Sequence, residues 1–550
     1  MYDYVLVGAG SAGCVLADRL SASGASVLLL EAGGPDTRPE IHIPATFSRL
    51  FKTDADWAYH TVPQAEAAGR EWFWPRGKVL GGSSAINAMI YIRGHRADYD
   101  GWAAGGCTGW GYSDVLPYFK RSEDNAVWEN AYHATGGPWR VEDPRSPNVL
   151  SRAFVEAAAQ AGHDRNPDFN GAEQEGAGLY QVNQRGGRRD SAATAFLRRA
   201  MRRPNLSVET GAHVTRVTVE GGRASGVAYR QGGVRRRAVA SREVVLCGGA
   251  VNTPQLLMLS GIGPAAHLRE YGIRVVADRH EVGQNLQDHP IAGVRWASRE
   301  PVSLLGAEAM GQVARYLALR RGMLSSNVAE AGLFAHVRPG PVPDLQFHVA
   351  PSLFYEHGFQ QPDAHGFSLG PTLVTPRSRG EVALASGDAA DHPRIDPRYF
   401  SEPSDLDVMV EGVKMAREIA AQEAYARFRG HEMDEMAEAQ TDREIRRTVR
   451  HTAETLYHPV GTCRMGPDAD SVVDLALRVR GVDGLRVADA SVMPTIPNGN
   501  TAAPTVMIGE RAADFVLGLA PDPGAAPEAA DREASGDAIS RAPTLRVPGA

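Results

Sequence analysis

The sequence predicts an α/β protein in which a largely parallel sheet, covered on both faces, is joined to an α+β region with an antiparallel sheet. Three observations carry this. Residues 3 to 8, DYVLVG, are an apolar run ending in glycine; residues 11 to 22 follow with a helical period, and SVLLLEAG at 26 to 33 adds a second apolar strand. Unbroken apolar strands suit a parallel sheet buried on both faces. EVVLCGGA at 243 to 250 repeats the strand pattern and leads into a helical NTPQLLMLSG. From about 295 to 450 the character changes, mixing short strands such as DLQFHVA with a long helix at 405 to 422, as expected of a second domain.

Taken in order, the chain after Gly34 loses periodicity through about residue 100, with Trp57, Trp72 and Trp74 scattered among Pro and Gly. Long irregular stretches of this kind carry function or cover a ligand. Helical patterns return at 150 to 162 and 190 to 202, and 205 to 229 alternates as a strand and hairpin with a Gly-Gly turn. LRVADAS at 485 to 491 reads as another buried strand. Residues 503 to 519 read as a helix with Pro504 in its first turn, where the missing N–H costs nothing. The tail from Pro521 is Ala-, Pro- and Gly-rich, a composition expected to stay disordered.

At 550 residues the chain exceeds a single ordinary core. Its net charge of −7 and scattered arginines offer no basic stripe for a nucleic acid. The N-terminus enters a strand without a secretory leader, and no run of about 18 apolar residues suggests a membrane span. The four cysteines are far apart with no C-x-x-C pair, so neither a metal site nor a disulfide framework is expected. A reducing cytoplasm fits.

GAGSAG places Gly8, Gly10 and Gly13 at the spacing that lets a strand turn tightly, brings the backbone against a pyrophosphate and packs the helix on the sheet. Ser11 opens the helix, whose N-terminus would face the phosphates. Glu31 ends the next strand 23 residues after Gly8, where a carboxylate can accept ribose hydroxyls. This context predicts a dinucleotide without choosing between a nicotinamide and a flavin. Further on, the Gly81-Gly82-Ser83-Ser84 turn offers N–H groups suited to a phosphate or a flavin edge.

GKVLGGSSAINAMIYIRGHRADYDGW at 77 to 102 and GAVNTPQLLMLSGIGP at 249 to 264 resemble the two signature patterns of the glucose–methanol–choline oxidoreductases, a family of FAD enzymes. The resemblance runs to about residue 519. It implies a Rossmann-like FAD-binding domain built from residues 1–50, 200–294 and 451–520. Residues 51–199 and 295–450 would cover the flavin and bind substrate. It places Val79, Gly81, Ser83, Asn87, Ala88, Met89 and Ile90 along the flavin, and Val214 at the adenine. Asp489, Asn500 and Thr501 follow as further flavin contacts. Where some members attach FAD to a histidine, this chain has Ile86, so the FAD is expected to be noncovalent.

His458, in YHPVGTCRMG, resembles the family's catalytic-histidine segment. Oxidising an alcohol removes a proton from the hydroxyl and a hydride from carbon, and histidine's pKa range suits it as the base. His95, His289 and His348 read as polar or packing residues. The helix from about Ala503 would favour negative charge on the reduced flavin. Relatives carry GNTNAPT where this chain reads GNTAAPT, at 499 to 505, which puts Ala502 at the expected partner of the base in the substrate pocket. Three explanations stay open: a water, Asn498 or Asn500 replaces the donor; the pocket admits a bulkier substrate; or the reaction has changed. The resemblance thus implies oxidation of a small-molecule alcohol, by a dehydrogenase rather than an oxidase. The acceptor would be a quinone, another carrier or dioxygen. The alternatives are a lyase- or decarboxylase-type flavoenzyme and a flavin-binding module without turnover.

Overall fold

The computed structural model describes residues 1–520; the tail expected to be disordered lies outside the described residues. Its first sheet grows from the strand Tyr2–Val7, which pairs in parallel with Val27–Leu30 on one side and with the long strand Val234–Leu246 on the other. Leu206–Glu209 and Leu485–Val487 extend the parallel part at its two ends. Val27 to Leu30 are all buried, which explains why their sequence shows no alternation. Val234–Leu246 does two jobs: its second half joins the parallel sheet, while its first half pairs antiparallel with Arg223–Gln231 and so carries the hairpin predicted from 205 to 229.

Helix Ser11–Ala22 has the predicted bounds and packs against the C-terminal helix Ala502–Leu517. Gly509 makes that contact close, since a Cβ there would lie 2.9 Å from the Ala12 Cα. Arg19 Nη2 donates to Glu510 Oε1 at 2.7 Å across the same interface. The expected strand over 485 to 491 stops at Val487, because the Asp489 carboxylate accepts from the Ser491 N–H and turns the chain. The expected helix over 190 to 202 is a π turn, Ala193–Leu197, followed by one helical turn, Arg198–Ala200. Helices Tyr112–Ser122 and Asp442–Thr452 come without a prediction; the first has Pro117 inside it, which masks its period.

The second sheet is antiparallel through Arg429–Glu432, Val294–Ser298, Gly366–Leu373, Leu345–Ala350, Ala331–Ala335 and Gly176–Leu179. Alternation along its strands assigns its two faces. Trp296, Phe347, Val349, Phe367 and Leu369 share a core with helices Pro403–Ala421 and Val149–Gln160. Arg295, His348, Ala350, Ser368 and Gly370 point the other way, into a large cavity between the two sheets.

Candidate active site

One end of that cavity is built by the glycine turn. Gly8, Gly10 and Ser11 line it, and Gly10 caps helix Ser11–Ala22 without a side-chain hydrogen bond, so first-turn N–H groups are left for a ligand. Gly13 lies behind the wall, where a Cβ would come within 1.9 Å of the Gly8 carbonyl oxygen; its absence of a side chain lets helix and strand close. Glu31 lines the cavity and accepts the Ala9 and Gly33 N–H groups, each at 2.8 Å. Burial pushes its carboxyl up to about 7. Val214 lies at the same end of the polypeptide arrangement, in the hairpin.

The 81-to-90 segment crosses this turn. Gly81 and Gly82 adopt positive φ, and a Cβ on Gly82 would lie 2.7 Å from the Gly10 Cα, so the two glycine turns are in contact. Ser83, Asn87, Ala88, Met89 and Ile90 line the cavity; Gly81 and Val79 stand outside its lining, Val79 bridged to Gly34. Two arginines unassigned by the sequence hold this segment. Buried Arg189 donates to the Ser84 carbonyl at 3.1 Å and to Asn87 Oδ1 at 2.7 Å. Arg76 Nη2 donates to Ser83 Oγ at 2.6 Å and its Nη1 to the Tyr457 carbonyl at 2.6 Å, linking the segment to the residue before His458. Neither stood out in sequence, because a structural arginine in RGGRRD or WPRGK looks like any surface charge.

Asp489 also lines the cavity, but its carboxylate is fully used. Oδ2 accepts from the Gly249 N–H and Thr253 hydroxyl, Oδ1 from the Ser491 N–H and hydroxyl. Its side chain therefore fixes the cavity wall. Thr501 and Ala502 line the cavity at the N-terminus of helix Ala502–Leu517, which lacks a side-chain cap and aims its positive end inward.

His458 lines the cavity between the two sheets, and Asn500 meets it: Asn500 Nδ2 lies 3.2 Å from His458 Nε2. Residue 502 is alanine, as the sequence shows, and the polar neighbour of the histidine is Asn500. Of the explanations left open, the geometry matches the one in which Asn500 provides the donor. Asn498 is buried and turned away, its Nδ2 donating to the Pro343 carbonyl at 2.6 Å.

A chain of hydrogen bonds sets which nitrogen of His458 is free. The Phe347 carbonyl can only accept, so the Tyr180 hydroxyl donates to it at 2.6 Å and must accept from Gln346 Nε2 at 3.0 Å. Gln346 Nε2 then donates its second hydrogen to Asn500 Oδ1 at 3.1 Å, which turns the Asn500 amide nitrogen toward His458. Nε2 of His458 must accept there, so the ring carries its proton on Nδ1 and donates to His289 Nδ1 at 3.0 Å. Asp288 Oδ1 accepts the His458 backbone N–H at 2.7 Å, while Oδ2 accepts from the hydroxyls of Thr455 and Tyr399.

Burial holds the His458 ring well below the ordinary histidine value, with His289, His348 and Arg76 adding to the effect. His289 and His348 are themselves pushed down to about 3 by burial. Expected as polar or packing residues, these two reach the site: His289 touches the candidate base and His348 lines the cavity. No spacing in the sequence joins 289, 348 and 458; the sheet does.

Models of the GMC oxidoreductase family match residues 2–291 and 376–509. The chain is 46% identical to an alcohol dehydrogenase [acceptor] of Pseudomonas putida, covering 94% of this chain and 96% of that protein. It is 44% identical to human mitochondrial choline dehydrogenase, covering 94% and 90%. The crystal structure of pyridoxine 4-oxidase from Mesorbium loti superposes with a TM-score of 0.87 at 33% identity, covering 94% of this chain and all of that one. With matches of this extent in sequence and structure around one glycine-built cavity, the chain belongs to the GMC oxidoreductase family.

Proposed function

We propose that this protein is an FAD-dependent dehydrogenase that oxidises a primary or secondary alcohol to an aldehyde or ketone. The observation that carries the chemistry is the His458–Asn500 pair, set inside a cavity whose far end is a dinucleotide turn. The cavity suits FAD: the uncapped N-terminus of helix Ser11–Ala22 would hold the pyrophosphate, Glu31 the ribose, and the 81-to-90 segment with Thr501 the flavin. Isoleucine at 86 offers no atom for a covalent link, so the cofactor is held noncovalently. When bound, FAD supplies the acceptor for the hydride leaving the carbinol carbon.

The chain's own residues do the rest. His458 Nε2, unprotonated at rest, takes the hydroxyl proton, and Asn500 Nδ2–H hydrogen-bonds the same oxygen as charge develops on it. Nδ1–H stays on His289, which keeps the ring from turning. The N-terminus of Ala502–Leu517 favours negative charge by about 0.3–1 kcal/mol, and more where water is excluded. Phe47, Phe51 and Phe354 line the cavity and exclude water. We assign residues 1–50, 200–294 and 451–520 to FAD binding and the rest of the described chain to covering the flavin and binding substrate. We place the protein in the cytoplasm, with a quinone, another carrier or dioxygen as electron acceptor.

Anaerobic mixing with a panel of alcohols tests this reading: the flavin bands bleach with at least one alcohol, and no bleaching with any would overturn it. The pH dependence is part of the same measurement. Because the His458 ring is held below its ordinary value, the competent neutral form persists on acidification, and the reduction rate at saturating alcohol stays level from pH 8 to about pH 6. Replacing Asn500 with alanine removes a charge-assisted bond of about 1.5–3 kcal/mol, lowering that rate roughly ten- to a hundredfold. Ala502→Asn, by contrast, adds a donor where none is missing, and produces no large gain on simple alcohols.

A further inference from the structure

Among the described residues eleven large apolar side chains are exposed, and three of them, Met310, Leu317 and Leu319, fall in the single ten-residue helix Met310–Leu319. That helix is anchored through Tyr316, its one buried residue, whose hydroxyl donates to the Gly187 carbonyl at 3.0 Å. At 100° per residue, Met310, Ala314, Leu317 and Ala318 share the face turned away from Tyr316, and that face is exposed along its length. Met310 is 87% exposed, and with its neighbours it forms a continuous apolar patch.

The charged residues of the helix and the two positions after it are all arginines. Arg315, Arg320 and Arg321 lie on or just beyond the helix, and Arg188 stands beside Tyr316. None of the four has an ion-pair partner among the described residues, in a chain whose net charge is −7. Glu308, the acid just before the helix, is already paired with Arg49. The turn that follows, Met323–Ser325, packs on Pro44–Leu50, which contributes Phe47 to the cavity wall.

We propose that helix Met310–Leu319 is a docking surface for an anionic phospholipid bilayer. Its apolar face enters the headgroup boundary while the unpaired arginines meet lipid phosphates. No helix among the described residues is long and apolar enough to cross a membrane, so the contact is with the surface. Docking would seat the cavity wall at Phe47 close to the lipid, where an apolar alcohol or acceptor concentrates.

The test is sedimentation of the full-length flavin-loaded protein with vesicles of phosphatidylglycerol and phosphatidylcholine, and with phosphatidylcholine alone. The protein is expected to sediment with the anionic vesicles, much less with the neutral ones, and less as salt rises. Met310→Glu with Leu317→Glu should abolish sedimentation. Arg315→Gln, Arg320→Gln and Arg321→Gln together should weaken it by roughly fivefold per side chain. Flavin content and anaerobic reduction by an alcohol, measured on the same variants, stay at the wild-type level and keep this outcome separate from any failure of the catalytic reading. The proposal is overturned if the wild-type protein ignores anionic vesicles or if the double glutamate variant binds as before. It is also overturned if sedimentation equilibrium shows a dimer that the same variants split, since a second copy would then cover the face.

Discussion

His458→Ala lowers the rate of anaerobic flavin reduction by alcohol about 10²- to 10⁴-fold, the usual effect of losing a positioned general base. The variant keeps its FAD. His458 stands at the junction of the two sheets and its ring contacts are with Asn500 and His289, so removing it does not disturb the glycine turn at the other end of the cavity. Stopped-flow absorbance reads the rate and the flavin spectrum reads the occupancy. A variant that reduces as fast as the wild-type protein would remove His458 from the mechanism, whereas one that loses flavin would make it a structural residue. Exogenous imidazole restoring part of the rate would further identify the missing group as a base.

The second large effect separates two glycines that the motif alone treats as equivalent. Gly13→Ala puts a Cβ 1.9 Å from the Gly8 carbonyl oxygen, a backbone atom that cannot step aside, and 3.3 Å from the Cβ of Cys247 in the core of the parallel sheet. The helix cannot seat, and the protein is expected in the insoluble fraction. Gly10 is different: a Cβ there meets only the Cys247 carbonyl oxygen, at an ordinary 3.8 Å, and otherwise faces the cavity. Gly10→Val therefore folds, with a circular-dichroism spectrum and thermal unfolding close to those of the wild-type apoprotein. It binds FAD more weakly, because the branched side chain occupies the approach to the pyrophosphate. Overpacking of this kind costs about 1–3 kcal/mol, or roughly five- to 150-fold in affinity. Titration of apoprotein with FAD measures it, and unchanged affinity would mean that the turn does not face the cofactor.

The contrast between these glycines shows where sequence reading stops. The G-x-G-x-x-G spacing identifies the turn, because strand, turn and helix are consecutive and their geometry is local. The helix Ser11–Ala22, the strand Val27–Leu30 and the hairpin after residue 205 were legible for the same reason. Helix Tyr112–Ser122 was not, since an internal proline breaks the pattern by which such helices are recognised. Asp489 shows another limit. Its place beside the cavity was readable, but only the four hydrogen bonds that saturate its carboxylate show that its side chain holds the wall.

Local order along the chain was enough to predict the parallel sheet and the glycine turn, while the segment from Gly81 to Ile90 and His458 stood out through their resemblance to the family's motifs. The partner of that base was decided by tertiary structure alone. Counting along GNTAAPT leads to Ala502, but where the chain turns into the C-terminal helix it is Asn500 that faces His458. Gln346 and Tyr180, from separate strands and loops of the antiparallel sheet, orient the Asn500 amide, and His289 fixes the ring from the other side. A hydrogen bond depends on direction within a few tenths of an ångström, and residues 180, 289, 346, 458 and 500 acquire their directions only when the two sheets close on each other.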